Sequence, residues 1–127
     1  MHHHLPKISQ LPSCKRLSLH HELYNPDGLH TINELPDTPA VYAITGLING
    51  QPANCRYLAH TDNLRASIEK HFSTNEADAL LCSFMQSIKL KEVVYRELSA
   101  SDDSNTILTE WEKILNPKNT EELNTVY

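Results

Sequence analysis

The chain has 127 residues, enough for one hydrophobic core, and no repeat or change of composition marks a second domain. Its 16 Asp and Glu residues outnumber its 11 Lys and Arg residues, which excludes general attraction to nucleic acid and confines such contact to a local patch. Because no apolar run is long enough to cross a bilayer or to direct secretion, we expect no membrane partner and a cytoplasmic location.

The cysteines and the first histidines show no metal-site pattern. Cys14, Cys55 and Cys82 are odd in number and widely spaced, without a CxxC pair, which is typical of reduced thiols in a cytosolic protein. The three histidines that follow Met1 fit a tag remnant or an unstructured end better than a metal-binding tract.

Residues 1–34 are predicted to form an irregular N-terminal arm, because prolines interrupt them and the NPDG at residues 25–28 is a turn signal. Within the arm, residues 14–24 (CKRLSLHHELY) fit either a short helix or an edge strand. One domain is expected over residues 35–119, followed by a C-terminal tail at residues 120–127.

Two strands and a helix are predicted in the first half of this domain. Residues 40–45 and 55–59 have the composition of strands, and the Asn49-Gly50 pair between them is a hairpin signal. Thr61 or Asp62 then caps a helix. The apolar residues of this helix recur at helical spacing: Leu64, Ile68 and Phe72.

A helix, a strand and a helix follow in the second half. Residues 75–88 have an apolar helical face, and residues 91–98 are β-branched and aromatic, as in a strand. The last helix stops before Pro117. Its apolar stripe consists of Ile107, Leu108, Trp111, Ile114 and Leu115. The predicted order is therefore β-β-α-α-β-α.

This order and two tripeptides resemble the GIY-YIG nuclease domain. The family's tripeptides correspond to AVY at residues 40–42 and YLA at residues 57–59, where both tyrosines are kept and both glycines are alanine. HTDNL at residues 60–64 is similar to the turn that leads into the family's first helix. The resemblance covers residues 35–119 and implies a small α+β fold, with a three-stranded antiparallel sheet flanked by helices.

The resemblance also implies which residues form the site. The catalytic candidates are Tyr42, Tyr57 and His71, with Arg65 as the candidate replacement for the family's arginine. The substrate-binding candidates are Thr61, Asn63, Ser67 and Asn119. Glu110 borders the apolar stripe of the last helix and matches the family's metal-binding glutamate. Mg²⁺ or Mn²⁺ is the expected cofactor if the chain is an active nuclease.

The family's catalytic arginine falls on Ser67 in this chain. Arg65 is two residues earlier, a rotation of about 200° along a helix, so it points away from the face of Ser67 and His71. Arg56 alternates to the opposite sheet face from Tyr57 if the strand is regular, and it would need a bulge to reach the site. Losing one preorganised charge stabiliser costs about 10²-fold to 10³-fold in rate.

Three functions follow from these residues. The first is a divergent domain that cuts poorly and binds DNA or a protein partner through the former cleft, as the acidic charge and the missing arginine favour. The alternative is an active metal-dependent DNA endonuclease in which Arg65 or Arg56 replaces the missing arginine, as the tyrosines, His71 and Glu110 favour. The third is a protein-interaction module that uses the proline-rich arm. Each candidate also has a plain structural interpretation, since tyrosine favours strands and glutamate is usually solvated.

Overall fold

The computed structural model describes residues 14–19, 32–48, 51–73, 78–87 and 89–115. In this part of the chain an antiparallel sheet is combined with three α-helices, which confirms the α+β class. The sheet has four strands, so the prediction of three was wrong. None of the described helices is both long enough and apolar enough to cross a lipid bilayer.

The elements follow one another in the predicted succession, with one additional strand before it. They are β1 Lys15–Ser18, β2 Ala40–Ile48, β3 Gln51–Thr61, α1 Leu64–Phe72, α2 Ala79–Gln86, β4 Lys91–Glu97 and α3 Ser104–Leu115. A short 3-10 helix at Ile32–Glu34 precedes β2. The two hairpin strands are longer than predicted, because pairing with each other carries the ladder up to the Asn49-Gly50 connection.

The additional strand, β1, lies in the predicted irregular arm, within the residues for which a short helix or an edge strand was left open. The strand order is β1-β4-β2-β3, so β1 and β3 are the two edges. Arg16 holds β1 in place through two bonds to the carboxylate of Glu92, at 2.8 and 3.2 Å. Four residues are too few to show a reliable alternation, and only the pairing with β4 makes them a strand.

The two faces of the sheet carry separate cores. We call the face covered by α1 and α2 the α1 face, and the other the α3 face. Strand alternation sends Tyr42 and Ile44 to the α1 face, and Val41 and Ala43 to the α3 face. The buried residues of α3 are Ile107, Trp111 and Leu115. The predicted apolar stripe of this helix therefore does form its core contact.

Helix α1 begins at a tightly bonded turn. Asn63 is its N-cap, since the side-chain oxygen accepts a 3.0 Å bond from the backbone N–H of Ala66. The predicted caps, Thr61 and Asp62, were wrong by one or two positions. The N–H groups of Leu64 and Arg65 donate to the carbonyls of Thr38 and Pro36, in the loop before β2, at 3.0 and 3.1 Å. Because these donors are already bonded, the helix start is fixed against the loop.

Strand β3 is irregular where it passes β2. Ile44 pairs with Tyr57, whereas the next residue, Thr45, pairs with Cys55, so Arg56 is an extra residue in a β-bulge. In a regular strand residues 55 and 57 would share a face. Here Tyr57 packs on the α1 face and Cys55 is buried on the α3 face. The bulge therefore changes the direction of the side chains that precede Tyr57.

Candidate functional site

A tyrosine and a histidine meet beneath helix α1. The phenol oxygen of Tyr42 lies 2.8 Å from Nε2 of His71 in a buried hydrogen bond. Tyr42 is 2% exposed and His71 is 4% exposed. Tyr42 faces α1 because it alternates with Val41 on β2, and His71 follows Leu64 and Ile68 along the buried stripe of α1. Strand alternation on β2 and helical spacing on α1 therefore place Tyr42 and His71 against each other.

Tyr57 completes an aromatic cluster with this pair. Its ring meets the His71 ring edge-on, with 4.6 Å between the centroids, and lies 6.0 Å from the ring of Tyr42. Unlike the other two residues, Tyr57 is half-buried. The structure therefore brings three of the four catalytic candidates together, and their catalytic role stays a prediction.

The substrate-binding candidates near this cluster are bonded to one another. The Thr61 and Ser67 hydroxyl oxygens are 2.6 Å apart, and Thr61 Oγ1 also accepts a bond from the backbone N–H of Asn63. Asn63 itself caps α1. A hydroxyl pair, rather than a cation, thus occupies the place where the family resemblance implies an arginine. Asn119, the fourth candidate, lies outside the described residues.

Arg65 is part of the scaffold. Its Nε donates to the carbonyl of Leu35 at 2.9 Å, and its Nη2 donates to the carbonyl of Asn33 at 3.3 Å. These bonds join α1 to the 3-10 helix before β2. They agree with the helical rotation that was expected to turn Arg65 away from Ser67 and His71. Its predicted catalytic role therefore has no support from the geometry.

Arg56 lies on the α1 face, because β3 is not regular and has the bulge that the sequence analysis required for Arg56 to share a face with Tyr57. Its guanidinium carbon lies 4.0 Å from the ring centroid of Phe84, which belongs to the α1-face core. Arg56 is 9% exposed. Burial lowers the pKa of the Arg56 guanidinium to about 10, so it stays charged at neutral pH. No residue pattern in the sequence marks which position of β3 carries the bulge.

Lys91 is a second buried cation that sequence reasoning missed. Its ammonium nitrogen donates to the carbonyls of Ser87 and Lys89 at 3.0 and 2.6 Å, and lies 5.1 Å from the Phe84 ring centroid. Ser87 is the C-cap of α2, so Lys91 satisfies the carbonyl end of that helix. Burial, and then the charges of Arg56 and Lys89, lower its pKa to about 8. The sequence of a strand gives no sign that the ammonium group of its lysine is buried, since most lysines face water.

Glu110 is exposed on α3, the helix that covers the α3 face. The sheet lies between that helix and the core under α1 that contains Tyr42. Among the described residues, no three His, Cys, Asp or Glu side chains come together as a group that could hold a metal ion. The metal role of Glu110 stays a prediction.

No family model, no curated protein and no solved structure matches this chain. The resemblance to the GIY-YIG domain therefore rests on its motif residues.

Proposed function

We propose that this chain is a divergent GIY-YIG-like domain that binds nucleic acid through the surface at Tyr57 and cleaves it poorly. The observation that supports this most is the cluster of Tyr42, Tyr57 and His71 on the α1 face. The half-buried ring of Tyr57 offers a surface on which a base or sugar can pack, and base stacking on an aromatic side chain contributes about 1–3 kcal/mol.

The charge on the α1 face also favours this function. The whole chain has a formal net charge of −5, so binding to a polyanion requires a local concentration of positive charge. Arg56 and Lys91 both lie against the Phe84 ring, at 4.0 and 5.1 Å from its centroid. Both side chains are buried, at 9% and 0% exposed, so they add positive potential beneath this face and do not themselves form a surface patch.

Two features argue for poor cleavage. A general base must reach the proton that it abstracts, and Tyr42 is only 2% exposed. The developing charge on a phosphate also needs a positioned cation, and Ser67 bonded to Thr61 supplies none at its position. Binding therefore fits the geometry better than rapid hydrolysis.

An active DNA endonuclease is the second candidate, and the bond between Tyr42 and His71 is the observation that favours it. An imidazole nitrogen 2.8 Å from a phenol oxygen is within reach to accept its proton, which would make the phenol a stronger base. Glu110 is the predicted ligand for Mg²⁺ or Mn²⁺. A single exposed carboxylate does not fit a metal site by itself.

Fluorescence anisotropy with labelled single-stranded and duplex DNA tests the binding function, because stacking on Tyr57 needs an unpaired base. We expect salt-sensitive binding that weakens in Tyr57→Ser, because the ring is lost. His60→Ala, an exposed neighbour on β3, is the matched control and should bind as the native chain does. If the native chain does not bind at low salt, the proposal is wrong, and a protein-interaction module becomes the better hypothesis.

Plasmid nicking with Mg²⁺ and Mn²⁺ separates the two candidates. The native chain is compared with Tyr42→Phe and Glu110→Ala. We expect no nicking above that of the variants. Nicking by the native chain that both substitutions abolish would favour the endonuclease instead.

A further inference from the structure

The orientation of His71 is set by a buried hydrogen bond. Its Nε2 lies 2.8 Å from the hydroxyl oxygen of Tyr42, and the two residues are 4% and 2% exposed. Hydrogen bonds are directional and the nitrogens of histidine lie in the ring plane, so the position of the phenol fixes the plane of the imidazole. An apolar residue at position 71 would fill the same space without setting that plane.

The same bond secures the end of helix α1. His71 is the last residue but one of Leu64–Phe72, and helix ends fray when nothing holds them. The first turn of α1 is held by the side-chain cap from Asn63. The bond to Tyr42 joins the last turn to β2, an inner strand of the sheet. Both ends of the helix are therefore fixed to the rest of the fold.

The oriented imidazole contacts the ring of Tyr57. The two ring centroids are 4.6 Å apart and the ring planes are inclined by 66°, an edge-to-face arrangement that aromatic rings favour. Tyr57 belongs to β3, which has a neighbouring strand on one side only, and it is the half-buried member of the cluster. The contacts with His71 and Tyr42 restrict the rotation of its ring.

A restricted Tyr57 ring favours a ligand that stacks on it. Ordering a mobile side chain on binding weakens affinity by roughly twofold to tenfold, and a ring that is ordered beforehand avoids this loss. The bases of a duplex are already stacked on their neighbours, whereas an unpaired base offers a free face. The arrangement therefore favours a single strand of nucleic acid over a duplex.

We propose that His71 is a positioning residue, held by Tyr42, that orients Tyr57 for an unpaired base of a single-stranded nucleic acid. This inference rests on the proposed function. His71 and Tyr42 are too buried to touch a bound strand themselves, so their effect on binding passes through the Tyr57 ring. The family resemblance implies a catalytic residue at position 71, and the assignment gives His71 a different role.

Binding of a labelled oligothymidine single strand, followed by anisotropy, tests this assignment. Tyr57→Ser should weaken binding about tenfold, because the stacking ring is lost. His71→Leu removes the imidazole and Tyr42→Phe removes only the bond, so each should weaken binding about threefold. In the Tyr57→Ser background neither should have a further effect, since no ring is left to orient. Tyr95→Phe alters a buried tyrosine beside Tyr42 on the same face, and this matched control should keep the native affinity.

A spectroscopic measurement separates positioning from a general loss of stability. The ring ¹H–¹³C signals of Tyr57 are identified by their absence from Tyr57→Ser. They should move in Tyr42→Phe, because the ring current of a reoriented His71 acts on them, and they should stay in place in Tyr95→Phe.

The possible failures are distinguishable. If the native chain binds neither single strand nor duplex, or if Tyr57→Ser binds as the native chain does, the proposed function and this inference both fall. If the chain prefers the duplex, the assignment of an unpaired base is overturned. If binding depends on Tyr57 while Tyr42→Phe keeps the native affinity, only the role of His71 is overturned. Losses that persist in the Tyr57→Ser background overturn that role too. Urea unfolding shows whether His71→Leu is folded, and if it is not, Tyr42→Phe decides.

Discussion

Replacing Lys91 with methionine tests whether a buried amine controls the pH dependence of stability. Lys91 is 0% exposed, and its pKa falls from 10.5 to about 8 because of burial and the nearby charges of Arg56 and Lys89. Between these two pKa values the unfolded chain holds a proton that the folded chain has released. Raising the pH from 8 therefore favours the folded state.

The expected size follows from the linkage relation. One pH unit corresponds to about 1.36 kcal/mol per proton of difference between the two states. Integrated from pH 8 to pH 9 with a folded pKa of about 8, Lys91 contributes about 1 kcal/mol. Cys55 acts in the opposite direction, because burial raises its pKa from 9.0 to about 12 and its unfolded form releases the proton first. Cys55 is present in the native chain and in Lys91→Met, so its effect cancels when their free energies of unfolding are compared.

Urea unfolding of both proteins at pH 8 and pH 9, with the thiols kept reduced, provides the measurement. Between pH 8 and pH 9, we expect the free energy of unfolding of the native chain to rise by about 1 kcal/mol more than that of Lys91→Met. Lys113→Met removes an exposed lysine of α3 and serves as the control for loss of a charge. The reasoning is refuted if the free energies of unfolding of the native chain and Lys91→Met differ by the same amount at pH 8 and pH 9. It is also refuted if Lys113→Met changes relative to the native chain as much as Lys91→Met does.

Three further substitutions separate structural roles from site roles. Tyr42→Phe removes the buried bond to His71 and should lower the free energy of unfolding by about 1 kcal/mol in urea, whereas an unchanged value would mean that the bond adds no stability. Thr45→Val should stabilise the fold by about 1 kcal/mol, since its hydroxyl is buried and has no hydrogen-bond partner among the described residues, and a lower melting temperature would contradict this. Arg65→Ala should lower stability by about 1 kcal/mol through loss of two carbonyl bonds, while duplex binding, measured by anisotropy, stays native.

Local patterns predicted much of the framework. The stripe of α3 was visible because its apolar residues recur over several turns, and Trp111 is indeed fully buried. The predicted stripe of α1 was Leu64, Ile68 and Phe72, of which the first two are buried and Phe72 is half-buried, while His71 is the third buried residue of the helix. The segment of β1 was left open between a short helix and an edge strand, because its four residues become a strand only by pairing with β4, which lies far along the chain.

Sequence by itself determined the succession of hairpin, helices, strand and helix, because this succession depends on periodicity and spacing within short segments. Tyr42, Tyr57 and His71 were singled out by the resemblance of their motifs to the GIY-YIG domain, and the fold brings them together. Only the tertiary structure decided where the side chains of Arg56 and Lys91 lie. The bulge that turns Arg56 onto Phe84 arises from a mismatch in register between two strands. The burial of Lys91 depends on where α2 ends relative to β4. Such contacts join segments that are distant in the chain, so no local pattern contains them.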